Sequence, residues 1–278
     1  MPGKRSMSGK ELKNYFKKAQ KGKWAIGQFN FSNLETLQAI MRAASNLKSP
    51  LIVGTSEGES RFLGLKQAAA LVRFFQKEIG IPIVLNLDHG QSLDYIKEAV
   101  KAGYDALHFD GSKLSLKENI AATKKVVALA SQKKILVEGE VGAIGGELTK
   151  AKEAKKFIEE TQVDILAVNI GTWHGQGEKT GINFQRLKEI KEAVKNIPLV
   201  LHGGSGVPAS HIKKAIKMGI VKININTELR NAFTAALKKA LEERPKEIAP
   251  YRYLPEAILA VQKIVEEKIK LFGSANKI

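Results

Sequence analysis

The sequence predicts an α/β protein, a closed (β/α)8 barrel of the TIM-barrel type, and two observations carry this prediction. Short apolar, β-branched runs alternate with longer amphipathic segments along the whole chain. This alternation repeats eight times within 278 residues, close to the length of about 250 residues that is usual for such a barrel. No linker, low-complexity tract or shift of composition interrupts it, so we expect residues 1–278 to form a single domain.

The predicted strands are short runs of Val, Ile and Leu, typical of buried parallel strands. They cover residues 25–30, 51–55, 83–87, 106–110, 135–141, 165–170, 199–201 and 220–225. The amphipathic segments between them predict helices over residues 34–47, 65–79, 93–102, 116–132, 151–161, 184–194, 209–218 and 228–242. Strands separated by helices pair in parallel through right-handed crossovers. An extra N-terminal helix over residues 9–20 and a C-terminal helical extension over residues 255–271 complete the prediction.

The composition excludes several classes of protein and site. The chain has no cysteine, so disulfides and thiolate metal sites are excluded, and a transition-metal site must use histidine and carboxylate. The apolar runs are too short for membrane helices, and the basic start MPGKRSMSGK lacks the apolar segment of a signal peptide. We therefore expect a cytoplasmic protein without a membrane partner.

The formal net charge of +17 raises the alternative of a nucleic-acid-binding protein. The lysines, however, are distributed over the solvent-facing positions of many separate predicted helices. The chain also has no arginine-rich arm and no interleaving of aromatic and basic residues of the kind that binds single strands. We therefore expect no nucleic-acid partner, and a positive field that attracts an anionic metabolite.

Polar side chains follow the predicted strands at their carboxyl ends, where the active sites of such barrels lie. They are Asn30, Ser56, Asp88 with His89, Asp110, Glu138 with Glu140, His174, His202, and Asn224 with Asn226. Three of the histidines, His89, His174 and His202, each precede a glycine that lets the backbone approach a ligand closely. Three neutral imidazoles with one open position form a catalytic zinc site, so we predict that these three bind Zn²⁺. His108 and His211 are interpreted as ordinary core or surface residues.

Asp88 stands beside the first of these histidines, in the stretch IVLNLDHGQS. A carboxyl group beside a zinc ligand is well placed to exchange a proton with a substrate oxygen near the metal. The simpler interpretation is that Asp88 caps the helix that begins near Ser92. Ser92 can itself fill that position, which favours the catalytic role for Asp88.

The loops LHGGSG and KININTE follow the seventh and eighth predicted strands. Loops at these two positions frequently bind phosphate in (β/α)8 barrels, through glycine amides and a helix N-terminus. Gly203, Gly204 and Ser205 offer donors, while Asn224 and Thr227 offer side-chain groups. Zinc next to a phosphate site suits the cleavage of a carbon–carbon bond in a phosphorylated ketose whose carbonyl the metal polarises.

Together these motifs closely resemble those of the zinc-dependent class II ketose-bisphosphate aldolases, which act on fructose or tagatose 1,6-bisphosphate. The likeness covers nearly the whole chain, in FNFSNLETLQAI, LDHG, HFDGSKLSLKENI, VEGEVGAIGG, VDILAVNIGTWHG, LVLHGGSG, KININTEL and EEKIKLFGSANK. The resemblance implies a lyase of glycolysis and gluconeogenesis that reversibly cleaves a ketose 1,6-bisphosphate, with fructose 1,6-bisphosphate expected first. The products would be dihydroxyacetone phosphate and glyceraldehyde 3-phosphate. The sequence does not separate the two sugars, which differ in the orientation of one hydroxyl.

The resemblance also implies residue roles. Asp88 would donate a proton to the oxygen of the leaving aldehyde, and the three histidines would bind the catalytic zinc. Asp110 and Glu140 resemble ligands of a second site, for a divalent metal or a monovalent cation. The expected substrate-binding residues are Asn30, Ser56, Gly175, Gly203, Gly204, Ser205, Asn224, Ile225, Asn226 and Thr227. Family members are commonly dimers or tetramers, so a homodimer or homotetramer is expected.

One segment departs from the family pattern. After GAIGG the family usually has a longer mobile loop with an acidic residue that handles the carbon-bound proton. Here the chain reads GGELTKAKEAKKFIEE and enters the next helix almost at once, which leaves Glu147 as the candidate catalytic residue of this segment. A second hypothesis is therefore a catalytically weak relative that binds phosphosugar and metal but turns over poorly.

Overall fold

The computed structural model describes Met7, residues 9–173, Gly175 and residues 181–278, and it confirms the (β/α)8 barrel. Parallel strands close in chain order, and β1 pairs with both β2 and β8. The strands are β1 Ile26–Asn30, β2 Leu51–Ser56, β3 Ile83–Gly90, β4 Ala106–Phe109, β5 Leu136–Val141, β6 Ile165–Val168, β7 Leu199–Leu201 and β8 Ile220–Ile225. Every strand residue is buried except Ser56 and His89, which lie at carboxyl ends.

Helices cover the outside of the barrel and both of its chain ends. They are α1 Gly9–Gly22, α2 Leu34–Asn46, α3 Glu57–Leu63, α4 Leu65–Ile79, α5 Leu93–Ala102, α6 Leu116–Ser131, α7 Ala151–Thr161, α8 Phe184–Val194, α9 Ala209–Lys217, α10 Thr227–Glu243 and α11 Pro250–Phe272. None of the helices in the described part of the chain is long and apolar enough to cross a membrane. The predicted helices between strands are all present.

Two elements differ from the prediction. Helix α3 was not predicted, because its seven residues are too few to show a helical period. The sequence nevertheless contains a signal for its start, since Ser56 and Glu59 form a reciprocal capping box of the S-x-x-E type. Helix α11 begins at Pro250 rather than at Pro255, and Pro255 lies inside it. Both prolines are compatible with a helix start, and the structure uses the earlier one.

Strand β3 also runs further than predicted, through Asp88 and His89 to Gly90. Its register with β4 shifts between Leu87 and Gly90, which marks a bulge, and His89 has a left-handed backbone with φ of 52°. Non-glycine residues rarely adopt this conformation, and such strain is often found at functional sites. The other strand limits agree with the prediction to within two residues.

The hydrophobic core has two parts. The larger part lies between the strands and the surrounding helices. The smaller part fills the amino end of the barrel. There Leu12, Phe16 and Ala19 of α1, together with Trp24, pack against buried side chains of the strands. Helix α1 therefore closes one end of the barrel with apolar side chains, and the polar site is confined to the opposite end.

Candidate active site

The site is a cavity of about 560 Å³ at the carboxyl ends of the strands. The predicted site residues on its wall are Asn30, Ser56, Asp88, His89, Asp110, Glu140, Gly175, His202, Gly203, Ser205, Asn224, Asn226 and Thr227. The parallel register places Ser56 opposite Asp88 across β2 and β3. His174 lies outside the described residues, so its role as a zinc ligand remains a prediction.

His89 and His202 each direct one ring nitrogen to a common point, where Nε2 of His89 lies 3.0 Å from Nδ1 of His202. Carboxylates engage their outer nitrogens, because Asp110 Oδ2 lies 2.8 Å from His89 Nδ1 and Glu138 Oε1 lies 2.7 Å from His202 Nε2. A carboxylate keeps the proton on the nitrogen that it faces, so each inner nitrogen of a neutral ring carries a lone pair. Two lone pairs at this distance require a cation between them, either a proton or a metal ion. The pair therefore fits a metal.

Glu138 and Lys222 hold His202 in this orientation. His202 is fully buried, and burial lowers its pKa to about 3 although Glu138 opposes the shift. The imidazole is therefore neutral, as a metal ligand must be. Burial would raise the pKa of Glu138, but Lys222, with Nζ at 2.6 Å, and the neighbouring histidines together keep the pKa below its ordinary value. Glu138 is thus an ionised acceptor for the outer nitrogen of His202.

His108 belongs to the same cluster, which corrects its interpretation as an ordinary residue. Its buried ring accepts the backbone N–H of His89 at Nδ1, over 3.1 Å, and its Nε2 lies 3.1 Å from Glu140 Oε2. Because Nδ1 accepts, the ring proton lies on Nε2. His108 therefore supports the left-handed backbone of His89 rather than offering a lone pair to a metal. The signal was present in the sequence, since His108 and Asp110 share one face of a strand.

Glu140 and Asp110 fit a second cation unequally. Glu140 Oε2 is buried and lies 3.1 Å from Nε2 of His108 and 3.7 Å from Nδ1 of His89. A buried carboxylate needs a cation or a hydrogen-bond donor, so Glu140 can accept from His108 or bind the predicted second cation. Asp110 is already engaged, since Oδ1 accepts from the N–H and O–H of Ser112 and Oδ2 contacts His89. One ligand atom each of His89, Asp110 and Glu140 lie within 4.8 Å of one another.

Asp88 lies beside the histidines and is held by two amides. Its Oδ2 accepts from Asn30 Nδ2 over 2.8 Å, and its Oδ1 accepts from Asn224 Nδ2 over 3.0 Å. Burial would raise the pKa of Asp88, but the surrounding histidines, His89 foremost, together hold the pKa well below its ordinary value. Asp88 is therefore a carboxylate that accepts a proton before it can donate one. Ser92 caps α5, because its Oγ accepts the N–H of Tyr95.

Glu59 is a site residue that was not predicted. It is buried, and its Oε2 accepts from the backbone N–H of Ser56 over 2.8 Å and from Asn30 Nδ2 over 3.0 Å. Its Oε1 accepts from Asn226 Nδ2 over 3.0 Å and from the guanidinium of Arg230. One carboxylate thus joins the ends of β1, β2 and β8. The capping-box motif was the signal for it in the sequence.

The predicted anion-binding loops are only partly on the cavity wall. Gly203 lines it with φ of 61°, and a Cβ there would lie 2.4 Å from the carbonyl oxygen of Trp173, so glycine is required. Gly204 and Ile225 do not line the cavity, and the Gly204 N–H is donated to the Asn224 carbonyl over 3.3 Å. Asn224 Oδ1 is buried and has no hydrogen-bond partner in the described chain, so it can accept from a substrate hydroxyl.

Glu147 is not brought to the cavity. Its side chain is 91% exposed and lies 3.9 Å from Lys150. Asn169 holds the loop of Glu147 in place, because its Nδ2 donates hydrogen bonds to the carbonyl oxygens of Ala143, Gly146 and Glu147. Among the described residues, the Glu147 side chain therefore contacts none of the other candidate site residues, and its catalytic role stays a prediction.

Comparison with known proteins gives consistent matches over most of the chain. The family described as fructose-bisphosphate aldolase class-II matches residues 10–277. A sulfofructosephosphate aldolase of Alkalicoccus urumqiensis is 38% identical over 284 residues, which cover 98% of either chain. A protein of Bacillus subtilis (strain 168) named "Probable fructose-bisphosphate aldolase" is 38% identical over 269 residues, covering 91% of this chain and 94% of that one. The crystal structure of the YdjI aldolase from Escherichia coli K12 superposes with a TM-score of 0.87 at 34% identity, covering 96% of this chain and 98% of that one.

Proposed function

Because the chain belongs to the class-II fructose-bisphosphate aldolase family, we propose that it is a zinc-dependent aldolase that reversibly cleaves a ketose 1,6-bisphosphate. Fructose 1,6-bisphosphate is the substrate proposed first, with dihydroxyacetone phosphate and glyceraldehyde 3-phosphate as products. The proposal extends to zinc at His89, His174 and His202, and to a cytoplasmic homodimer or homotetramer. Two relatives of equal identity carry different substrate names, so the sugar is the point that experiment must decide.

The observation that carries the proposal is the facing pair of ring nitrogens of His89 and His202, 3.0 Å apart. Carboxylates on their outer nitrogens set both tautomers so that the inner lone pairs converge. Beside them lies Asp88, a buried carboxylate held by two amides. This arrangement suits a reaction that needs a Lewis acid at a carbonyl and a base at a neighbouring hydroxyl.

The proposed cleavage divides the work between the metal and the protein. When bound, the zinc ion would supply a Lewis acid that polarises the ketose carbonyl and favours the enediolate form of the half that contains it. Asp88 accepts the proton of the hydroxyl on the far carbon of the bond that breaks, and the bonding electrons pass to the carbon next to the carbonyl. The aldehyde then leaves. In the reverse direction Asp88 returns that proton, which is the donor role implied by the family.

Protonation of the remaining carbon is the step for which the described site shows no acid. Glu147 points to solvent, and this favours the second hypothesis, a relative that binds sugar and metal but turns over slowly. Exchange of the methylene proton of dihydroxyacetone phosphate with solvent measures this step directly. We expect exchange to lag behind carbon–carbon cleavage in a single turnover, and E147Q to slow it further only if the loop carries Glu147 to the substrate carbon during turnover. Fast exchange that is unchanged in E147Q would remove Glu147 from the proposal.

Metal dependence is the decisive experiment for the proposed function. The purified protein should contain zinc, and a chelator should abolish cleavage of fructose and tagatose 1,6-bisphosphate until Zn²⁺ is restored. H89A and H202A should lose zinc by elemental analysis, because three protein ligands leave no substitute. H211A is the matched control, since His211 lies on α9 away from the cavity. Turnover that survives chelation, or that borohydride with substrate abolishes, would indicate a Schiff-base mechanism instead.

A further inference from the structure

Two buried amide side chains lie inside the barrel beneath the cavity, Gln28 on β1 and Asn86 on β3. Neither lines the cavity, and the proposed chemistry uses neither. We propose that Gln28 is a positioning residue for Asp88, which it holds through Asn30, and that Asn86 in turn holds Gln28. The inference rests on the proposed function, because Asp88 is the proton acceptor of that reaction, and it names what keeps this carboxylate in place.

The hydrogen bonds between these side chains all run in one direction. Asn86 Nδ2 donates to Gln28 Oε1 over 2.9 Å, and Gln28 Nε2 donates to Asn30 Oδ1 over 3.1 Å. Asn30 Nδ2 then donates to Asp88 Oδ2 over 2.8 Å. Each amide thus presents its N–H groups towards Asp88. Amides aligned in this way polarise one another in a buried site, which strengthens the last bond of the series.

The carboxylates at the end of the series fix its direction. Asn30 Nδ2 donates to Glu59 Oε2 as well as to Asp88, and an ionised carboxylate can only accept. The carbonyl oxygen of Asn30 must therefore face the other way, where it is buried and needs a donor. Gln28 supplies that donor. Without it the oxygen is left unpaired, and rotation of the Asn30 amide away from Asp88 relieves the cost.

Gly54 on β2 provides the space for the bond between Gln28 and Asn30. The register places Gly54 between Asn30 of β1 and Asn86 of β3, so side chains that join these strands pass in front of it. A Cβ on Gly54 would lie 2.5 Å from Asn30 Oδ1 and 2.8 Å from Gln28 Nε2, the two atoms of that bond. Gly54 has no positive φ, so glycine is needed here for space and not for conformation.

Asp88 depends on this support because only two amides hold its oxygens in the described site. Asn224 Nδ2 donates to Oδ1 over 3.0 Å, and Asn30 holds Oδ2. Loss of one contact lets the carboxylate turn about the other. A base must lie within hydrogen-bond reach of the hydroxyl that it deprotonates, and a displacement of about 1 Å can cost about 10²-fold in rate. A weaker hold on Asn30 should therefore lower kcat.

The test measures kcat, KM and zinc content of Q28M with whichever of fructose and tagatose 1,6-bisphosphate the wild type cleaves. Methionine is as long as glutamine but cannot donate, so kcat should fall by about 10- to 100-fold. KM should stay within about twofold, since Gln28 does not line the cavity, and zinc content should be unchanged. In the D88N background Q28M should have no further effect, because both substitutions act on one step.

A double variant separates positioning from stability. Q28M leaves Asn30 Oδ1 and Asn86 Nδ2 without partners, so it should unfold at a lower urea concentration than the wild type. Q28M/N86L removes one of these unpaired groups and should recover part of the stability but none of the turnover. T55V is the matched control, since it removes the buried bond between Thr55 and Tyr104 outside this series. It should lower stability and leave kcat unchanged.

G54A breaks the same hydrogen bond from the opposite side. Its methyl group would occupy the space between Gln28 and Asn30, so kcat should fall as in Q28M while both amides remain in the chain. Crystal structures of Q28M and G54A, which need no substrate, should show that Asp88 Oδ2 has lost its contact with Asn30.

Several results would overturn the proposal. They are an Asp88 that keeps both amide contacts in the crystals, a wild-type kcat in Q28M, and a kcat that recovers with stability in Q28M/N86L. A raised KM at unchanged kcat would likewise show that Gln28 acts on substrate binding and not on Asp88. If the zinc-loaded wild type cleaves neither sugar, the proposed function fails, whereas the crystal structures still decide what holds Asp88.

Discussion

His89 is a residue whose role can be predicted from the sequence, whereas its backbone conformation cannot. Its neighbours in the motif LDHG predict, by resemblance, that it binds a metal. Nothing in the motif indicates a left-handed backbone at the bulge of β3, because that conformation depends on pairing with β4. The ring of His108 that supports it is likewise contributed by another strand. Short-range patterns predict side chains, whereas contacts between distant strands decide how those side chains are held.

The support that His108 gives to His89 is testable by two substitutions. H108M removes the acceptor for the His89 N–H, so we expect zinc affinity to fall by about 10- to 100-fold, the usual effect of losing a group that orients a ligand. H108N keeps an acceptor near the position of Nδ1 and should recover part of the affinity. Competition with a chromophoric chelator measures both. Equal zinc affinities for H108M and the wild type would show that His108 only fills space and does not orient His89.

Asp88 and Ser92 allow the catalytic and capping roles to be separated. D88N should lower turnover by about 10²- to 10⁴-fold, because the amide cannot accept the substrate proton. Zinc content should be unchanged. S92A removes the hydrogen bond to the Tyr95 N–H and should cost about 1 kcal/mol in the free energy of unfolding with little effect on turnover. Urea unfolding and steady-state rates give both numbers, and the reverse pattern would make Asp88 the structural residue.

At the level of elements, strand order and helix spacing were predictable because they depend on local periodicity and on the handedness of crossovers. Helix α3 was not, since seven residues carry too little period, and with it Glu59 was missed. The contact between Glu138 on β5 and Lys222 on β8 was also beyond prediction. A buried lysine looks like any other lysine in a sequence, and only closure of the barrel places a carboxylate beside it.

The Lys222–Glu138 pair predicts that removing one of its two charges destabilises the protein more than removing both. K222M leaves the buried Glu138 without its cation, so we expect the metal-free protein to lose about 3–5 kcal/mol in the free energy of unfolding. The double variant K222M/E138Q removes both charges while the glutamine oxygen can still accept from His202, and it should recover most of that loss. Urea titration of the metal-free proteins compares them. A double variant as unstable as K222M would mean that lost packing, not an unpaired charge, dominates.

At the scale of the whole molecule, one end of the barrel contributes to stability and the other carries the candidate active site. One end is closed by α1 through apolar contacts, and the other carries the polar cavity. F16A should therefore lower the free energy of unfolding by about 3–5 kcal/mol, the usual cost of truncating a buried phenylalanine. Zinc affinity and KM should be unchanged, because the substitution lies outside the site. A parallel loss of zinc affinity would show that the two ends are coupled.

The closely facing rings of His89 and His202 make metal uptake an exchange of one cation for another. Burial lowers the pKa of His89, but the neighbouring carboxylates, Asp88 foremost, together raise the pKa above its ordinary value. The two inner nitrogens lie 3.0 Å apart, so we expect them to share a proton in the metal-free protein, which zinc binding would displace. Zinc affinity should fall as the pH falls, and the heat of zinc binding should depend on the ionisation enthalpy of the buffer. Calorimetry in two buffers at one pH counts the released protons, and a count of zero would show that no proton lies between the rings.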